Sequence, residues 1–251
     1  MTVLSRSGLA SLGALCAGLS LAGAVVAAPA ANPAARFDGT WSKNPGSLRY
    51  SQSPPFTAAA RAAFESLKPQ DDPGARCTES GTPRIMISPY PIQIVALQNH
   101  ILMVSEFNHV VRRIWTDQTA HPAEPDPSYY GHTVVHWEGE TMVVDSVGFN
   151  GANYLDPAGD PMTDAMHLVE RWRLRDPDTL EIVFTFDDPK VYTAPWSSTQ
   201  TYGRKPDWRL GEFSCTENNR NNPDDPRNPR NLTSTDIPAP YERPAAAPPA
   251  R

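Results

Sequence analysis

Several ionisable side chains of this chain stand inside apolar, strand-like segments rather than only in turns. In SEFNHVVRRIW, strand alternation puts Glu106, Asn108 and Arg112 on one face. His109 and Arg113 then share the opposite face. A charge that points into a protein interior must be paired or hydrogen-bonded, because a lone buried ion costs several kcal/mol. We therefore expect a polar interior that can seat a small ligand.

The same arrangement recurs further along the chain and predicts acid/base chemistry. An imidazole can take and give a proton near neutral pH, an arginine can stabilise a developing oxyanion, and a carboxylate can fix the tautomer of an imidazole. His109 is the first candidate for the general base, with His132 and His167 as alternatives. The predicted catalytic groups are His109, His132, His167, Arg113, Asp145 and Glu170.

A second set of residues is predicted to contact the substrate. Its members are polar groups on the same strands and aromatic rings that could wall a pocket, and for the rings a purely structural role in the core is an equally good interpretation. The set consists of Glu106, Asn108, Arg112, Trp115, Tyr130, Phe149, Asn150, Trp172 and Trp196. We expect His100 and His121 to be exposed in turns or loops, and His136 to be solvated at the edge of a hairpin.

Metal and cofactor chemistry is disfavoured by spacing and by motif. His132 and His136 are four residues apart, which on a strand is roughly 13 Å, too far for one ion to bridge. A metal stays possible only if His109, His132 and His167 converge from three strands. The mature region has no GxSxG, GxGxxG, GxxxxGK[ST] or HExxH motif. We predict no metal and no cofactor, which leaves lyase, hydratase or isomerase reactions that only move protons.

The elements that must position these residues are strands, because the dominant periodicity is two. In DTLEIVFTFDD, the side chains of Leu180, Ile182, Phe184 and Phe186 fall on one face. Three hairpins are predicted, with turns at residues 98–99, 138–140 and 175–178, and further strands near 197–202 and 210–215. Only residues 57–67 are predicted to be helical. The expected fold is an all-β antiparallel barrel with one short N-terminal helix.

The two ends of the chain differ from this middle region. An almost uncharged stretch after Arg6 ends in small residues, which predicts a cleaved signal peptide at 1–28 that removes Cys16. A linker at 29–35, a single barrel domain at 36–217 and a disordered proline-rich tail at 218–251 follow. The remaining pair, Cys77 and Cys215, is predicted to form one disulfide in an oxidising compartment, either the periplasm or outside the cell.

The charge balance limits the possible partners. The 251 residues carry a formal net charge of −6 and no run of Lys and Arg, which argues against binding of nucleic acid or of an anionic membrane surface. Once the signal peptide has been removed, we expect no stable membrane insertion. A small organic molecule is the expected partner.

Five sequence strings carry a resemblance to known proteins. DDPGARC (71–77), NHVVRRIWTD (108–117), GHTVVHWEGETMVVDSVGFN (131–150), DAMHLVERWR (164–173) and DDPKVYTAPW (187–196) resemble a large group of multi-copy secreted, periplasmic proteins of bacteria. The DGTW at 38–41 resembles the opening of lipocalin-type (calycin) barrels. The resemblance implies secretion and a barrel, and it implies no particular activity.

Three functions fit these observations. The first is an enzyme that holds a small organic substrate in the barrel lumen and performs acid/base chemistry without a cofactor. The second is a non-catalytic lipocalin-like carrier of a hydrophobic or aromatic molecule. The third is an envelope scaffold whose inward charges form closed ion pairs. The density of His, Arg and acidic residues on strands favours the enzyme.

Overall fold

The computed structural model describes residues 32–46, 49–50, 53–68 and 71–217. The predicted signal peptide and the predicted proline-rich tail lie outside the described residues, as does the start of the predicted linker. The described chain contains ten strands and two short helices, here numbered in chain order. The strands are β1 (Gly39–Lys43), β2 (Arg49–Tyr50), β3 (Ile92–Ala96), β4 (His100–Ser105), β5 (Val111–Trp115), β6 (His132–Glu138), β7 (Thr141–Val147), β8 (His167–Asp176), β9 (Thr179–Asp187) and β10 (Trp196–Arg204). The helices are α1 (Ala58–Ser66) and α2 (Arg84–Ile87).

The strands form one antiparallel sheet that curls into a nearly closed barrel. Its order is β5-β4-β3-β1-β10-β9-β8-β7-β6, and β2 adds to β10. The first strand joins the two halves of the sheet by pairing with both β3 and β10. The two edge strands, β5 and β6, approach within 8 Å at their Cα atoms without a ladder of hydrogen bonds between them among the described residues. The barrel therefore has one seam, and residues 116–131 connect its two sides.

Strand alternation decides which side chains fill the barrel, as the sequence predicts. On β9, Leu180, Ile182, Phe184 and Phe186 are all fully buried. On β8 the inward residues are Leu168, Glu170 and Trp172, again without solvent exposure. The three predicted hairpins are present, as β3–β4, β6–β7 and β8–β9. The predicted all-β barrel is thus confirmed.

A 3-10 helix at Pro33–Phe37 precedes β1 and packs on the core. The ring of Phe37 is fully buried and packs against Trp137 and Trp172. The guanidinium of Arg204 lies over the indole of Trp41 at 4.2 Å and donates hydrogen bonds to backbone carbonyls at residues 36 and 38. The sequence analysis assigns residues 33–35 of this helix to the linker. They are ordered here because Ala34 and Phe37 of PAARF bury their side chains in the core.

A segment that the sequence analysis missed fills part of the interior. Residues 80–87 are all buried, and they include the single turn of α2. Tyr202 donates its hydroxyl to the carbonyl oxygen of Met86, and the sulfur of Met86 accepts from Arg112. Arg84 forms a bidentate ion pair with Asp72. Side chains of this segment therefore occupy space that an empty barrel would leave for a ligand.

The remaining predictions about elements have mixed outcomes. The predicted helix is present as α1, and the hydroxyl of Thr57 caps it by accepting from the backbone N–H of Ala60. The strand predicted near residues 210–215 is wrong, because this segment makes only an isolated bridge between Phe213 and Phe107. The disulfide is confirmed: Cys77 and Cys215 are bonded, with their Cα atoms 5.6 Å apart. Within the described residues, no helix is long and apolar enough to cross a membrane.

Candidate functional site

Four titratable side chains meet on the outer face of the barrel. His132 begins β6, Asp145 lies on β7, His167 begins β8, and His121 reaches them from the connection between β5 and β6. All four are partly accessible: the side chains of His121, Asp145 and His167 are 22%, 28% and 44% exposed. We call this group the histidine–aspartate cluster.

The cluster is a continuous chain of hydrogen bonds. Nδ1 of His132 lies 2.8 Å from Nδ1 of His121. The other ring nitrogen of His121, Nε2, lies 3.2 Å from Oδ1 of Asp145. The same carboxylate oxygen lies 2.8 Å from Nε2 of His167. Asp145 therefore links two imidazoles directly and a third through His121.

Sheet register explains why three of these residues meet. Val134 and Val169 flank Asp145 on the neighbouring strands. His132 and His167 each lie two residues before those valines, on strands that both run opposite to β7. Their side chains therefore stand on the same face as Asp145, diagonally displaced in the same direction along the sheet, within reach of a long side chain.

The hydrogen bonds determine which ring nitrogens carry protons. An ionised carboxylate only accepts, so Nε2 of His121 and Nε2 of His167 must both donate to Asp145. Neutral His121 then has a lone pair on Nδ1, which accepts the Nδ1–H of His132. Nε2 of neutral His132 is left with its lone pair, and no described residue bonds to it. Neutral His132 is thus held in the tautomer whose lone pair lies on Nε2, the ring nitrogen that no described residue contacts.

The surroundings shift the pKa values of His132 and His167 in opposite directions, and these shifts agree with the proton positions given above. Burial, and then the neighbouring His121, hold the pKa of His132 below its ordinary value. The hydrogen bond to Asp145 raises the pKa of His167 against the effect of burial, and the charges of Asp145 and Asp187 add to the rise. Burial alone would raise the pKa of Asp145, but its bonds to His167 and His121 outweigh burial and lower it.

Val147 lies between the two strand imidazoles on the outer face, and we call it the valine floor. His132 stands opposite Val147, and one further step of the β7–β8 register places Val147 opposite His167. Asp187 flanks His167 on the other side. Because neighbouring strands lie about 4.8 Å apart, the two imidazoles rise from backbones roughly 10 Å apart, with a valine between them.

The expectation that the imidazoles line the lumen is wrong. Thr133 and Val135 of β6, and Val144 and Ser146 of β7, point inward and are buried, so His132 and Asp145 must point outward. The sequence could not settle this point, because both faces of HTVVHW and MVVDSV carry valines. The described interior is instead lined by large apolar side chains and one ion pair.

That ion pair contains two of the predicted functional residues. Arg112 donates from both terminal nitrogens to the two carboxylate oxygens of Glu170, and both side chains are fully buried. The indole N–H of Trp172 donates to the same carboxylate at 3.0 Å. With its charge paired and no access to solvent, Glu170 lies apart from the histidine–aspartate cluster and crosslinks β5 to β8 through the core.

Two other predicted catalytic residues lie away from the cluster. His109 is exposed in the turn between β4 and β5, with a positive φ of 53°. Arg113 is exposed on the outer face of β5. The alternation that pairs them in the sequence fails at His109, because residues 106–110 form a turn rather than a continuous strand. The structure does not bring either residue to His132 or His167.

The predicted polar contacts have structural partners. Glu106 accepts from the backbone N–H of Gly211, and Asn108 accepts from the backbone N–H of Cys215. Both therefore fasten the segment that carries the disulfide. Asn150 accepts from the backbone N–H of Ala152 within its own turn.

The predicted aromatic contacts belong mostly to the core. Phe149, Trp172 and Trp196 are at most 2% exposed. Tyr130 donates its hydroxyl to Glu79, and Trp115 packs against the ring of His100. None of these five rings makes a described hydrogen bond to the histidine–aspartate cluster.

His121 is the functional candidate that sequence reasoning missed. It was expected to be exposed in the proline-rich loop HPAEPDP, yet it makes two of the three bonds of the cluster. The available signal was the position of this loop, which must end at His132 after only ten intervening residues. Among the described residues, no group of three His, Cys, Asp or Glu side chains is arranged to hold a metal ion.

The strand order defines a nearly closed antiparallel β-barrel, and the histidine–aspartate cluster lies on its outer face. Barrels of about this size have an interior that is filled by side chains or holds one small ligand. No family model matches the chain, and no curated protein matches it. Among solved structures, a point mutant of the fluorescent protein UnaG is similar at 11% identity and a TM-score of 0.33, over 68% of this chain and 96% of that one. The barrel class rests on the topology of this chain, not on that similarity.

Proposed function

We propose that this protein is a periplasmic or secreted enzyme that performs acid/base chemistry on a small organic substrate without a cofactor. The reaction class is elimination, hydration or isomerisation. The observation that carries the proposal is the hydrogen-bonded chain from His132 through His121 and Asp145 to His167. A partly exposed chain of this kind supplies both a proton acceptor and a proton donor at one surface.

The opposed pKa shifts assign the two roles. A pair of titratable groups whose surroundings push their pKa values apart divides naturally into base and acid. His132, with its pKa lowered and its Nε2 lone pair free, is the base that removes a proton from carbon or oxygen. His167, with its pKa raised, is the acid whose Nδ1–H protonates the leaving or accepting atom. His121 and Asp145 position the two imidazoles.

The valine floor places the substrate between acid and base. A molecule resting on Val147 has His132 on one side and His167 on the other. In an elimination, Nε2 of His132 takes the proton, the electron pair forms the double bond, and the leaving hydroxide departs as water with the proton of His167. Asp145 and Asp187 make the surroundings negative, which favours a neutral substrate over a carboxylate.

The proposed location has separate support. A disulfide between Cys77 and Cys215 is the kind of bond that persists in oxidising compartments. The motifs that resemble secreted bacterial proteins point in the same direction, and so does the expected signal peptide.

The proposal is tested by proton exchange rather than by guessing a substrate. The purified protein is incubated in D2O with a panel of small neutral carbonyl compounds and hydroxy-carbonyl compounds, and NMR follows deuterium uptake and the loss or gain of water. We expect catalysed exchange for at least one compound. His132→Gln should reduce it by about 10²–10⁴-fold, the usual contribution of a general base. His136→Gln is the matched control, because His136 lies exposed on the same face of β6 and contacts Glu138 instead.

Two results would overturn the proposal. One is that no compound of the panel exchanges faster with the protein than without it. The other is that His132→Gln and His136→Gln exchange equally fast. Either result would favour the second function, a carrier that binds a small molecule without transforming it.

A further inference from the structure

The connection between β5 and β6 is held over the histidine–aspartate cluster by the hydrogen bonds of His121, and Pro125 of the same connection packs against Gly148. It begins at Asp117, which accepts from Asn99, and it ends where Ser128 bridges to Phe149. Between these points, the hydrogen bonds that the structure describes for the connection all come from His121. We call residues 118–127 the crossing loop.

The bond between His121 and His132 depends on protonation in a way that most hydrogen bonds do not. Two Nδ1 atoms 2.8 Å apart share one proton, so one of them must keep its lone pair. With both rings neutral, His132 donates. With one proton added, His121 becomes a cation that donates to His132 on one side and to Asp145 on the other. With both rings protonated, two donors and two positive charges face each other, and the contact is repulsive.

The charged groups around His121 come from four strands and from the loop itself. His132 faces it from β6 and Asp145 from β7, while His167 of β8 and Asp187 of β9 lie behind the carboxylate. The loop's own acidic residues, Glu124 and Asp126, make no described ion pair with His121. Asp145 is the carboxylate described in contact with His121, and it also bonds to His167, so no described group is left to compensate a second positive charge in the pair.

We propose that the contact between His121 and His132 is a latch that opens in acid and releases the crossing loop from the outer face of the barrel. Because the latch opens when both rings carry a proton, His132 then lacks the lone pair that a base needs, and the proposed activity is switched off in acid; this regulatory meaning rests on the proposed function. The latch itself does not, since it follows from the contact alone. The latch holds the loop at neutral pH and releases it when the second imidazole of the pair takes up a proton.

The lowered pKa of His132 supports opening of the latch in acid rather than at neutral pH. Burial and the neighbouring His121 lower the pKa of His132, which moves the second protonation of the pair, and with it the opening of the latch, toward lower pH. As the two rings interact, the opening follows the second protonation of the pair rather than a value belonging to either ring alone.

Amide hydrogen exchange of the full chain tests the latch without any substrate. Exchange of peptides from the crossing loop is followed by mass spectrometry from about pH 7 to about pH 4, corrected for intrinsic exchange at each pH. We expect protection at neutral pH and at least a tenfold loss of it in acid. Peptides from β9 report global unfolding in the same samples.

A substitution that cannot titrate provides the decisive comparison. His132→Asn places an amide near the position of Nδ1, where it can accept from or donate to His121 at every pH, so the loop should remain protected in acid. His136→Asn, on the same face of the same strand, should behave like the wild type. Loop protection that does not change with pH in the wild type would overturn the latch. So would loss of protection in His132→Asn, or loss of loop and β9 protection at the same pH. These amide-exchange results do not depend on the substrate assay of the proposed function, so failure of that assay would not by itself count against the latch.

Discussion

The buried pair of Arg112 and Glu170 offers a sharp test of which charged residues build the barrel. Glu170→Gln keeps the size of the side chain and an acceptor for Trp172, but it removes the negative charge. Arg112 is fully buried and its described ionic partner is Glu170 alone, so its charge would then be uncompensated. Breaking one side of a buried pair costs about 3–5 kcal/mol.

The loss should be reversible by removing the second charge. In Arg112→Met combined with Glu170→Gln, no buried charge remains, and Trp172 keeps its acceptor. We expect the double variant to recover at least half of the free energy of unfolding lost by Glu170→Gln, since replacing both members of a buried pair is often close to neutral. Urea unfolding followed by tryptophan fluorescence measures both values. For a domain of this size, 3–5 kcal/mol corresponds to a fall in Tm of roughly 6–20 °C.

Two outcomes would refute this reasoning. If Glu170→Gln costs less than about 1 kcal/mol, the carboxylate does not neutralise Arg112 in the way the contacts require. If the double variant is less stable than Glu170→Gln, the two charges contribute independently. A Glu170 that served in acid/base chemistry would instead lose activity and keep its stability.

Two further perturbations act on stability away from the cluster. Replacing Cys77 and Cys215 by serine opens a loop with a sequence separation of 138 residues. This should cost about 2–5 kcal/mol in urea unfolding, and an unchanged midpoint would contradict it. Burial and the charge of Asp156 raise the pKa of Asp160 to about 7. A raised carboxyl pKa contributes stability below about pH 4 that is lost as the pH rises through 7, so Asp160→Asn should stabilise by about 2–4 kcal/mol at pH 8 and by almost nothing below pH 4. Thermal unfolding at both pH values measures this, and equal effects at both would contradict it.

The barrel could be predicted because its strands obey a period of two over long stretches. In β9, the inward positions 180, 182, 184 and 186 are apolar without exception, while 185 and 187 are polar. The closing turns carry Gly, Asn or Asp at the expected positions. Residues 80–87 could not be predicted in the same way, because a one-turn helix buried inside a barrel has too few residues to show a period.

The site could be predicted only in part, because alternation says which residues share a face but not which face is inside. His132, Asp145 and His167 were correctly singled out as ionisable residues on strands, yet both faces of β6 and β7 carry valines. The charges that do point inward, Arg112 and Glu170, form a closed pair. His121 was missed because a proline-rich loop has no period from which its position could be read.

The most direct test of the central claim is an NMR titration of the histidine ring nitrogens. The 15N shifts report the tautomer and the protonation of each imidazole as the pH changes. We predict that neutral His132 carries its proton on Nδ1 and titrates below the ordinary histidine value of about 6.5, while His167 titrates above it. Asp145→Asn should move the midpoint of His167 back down. Equal midpoints for His132 and His167, or a His132 protonated on Nε2 when neutral, would contradict the division into base and acid.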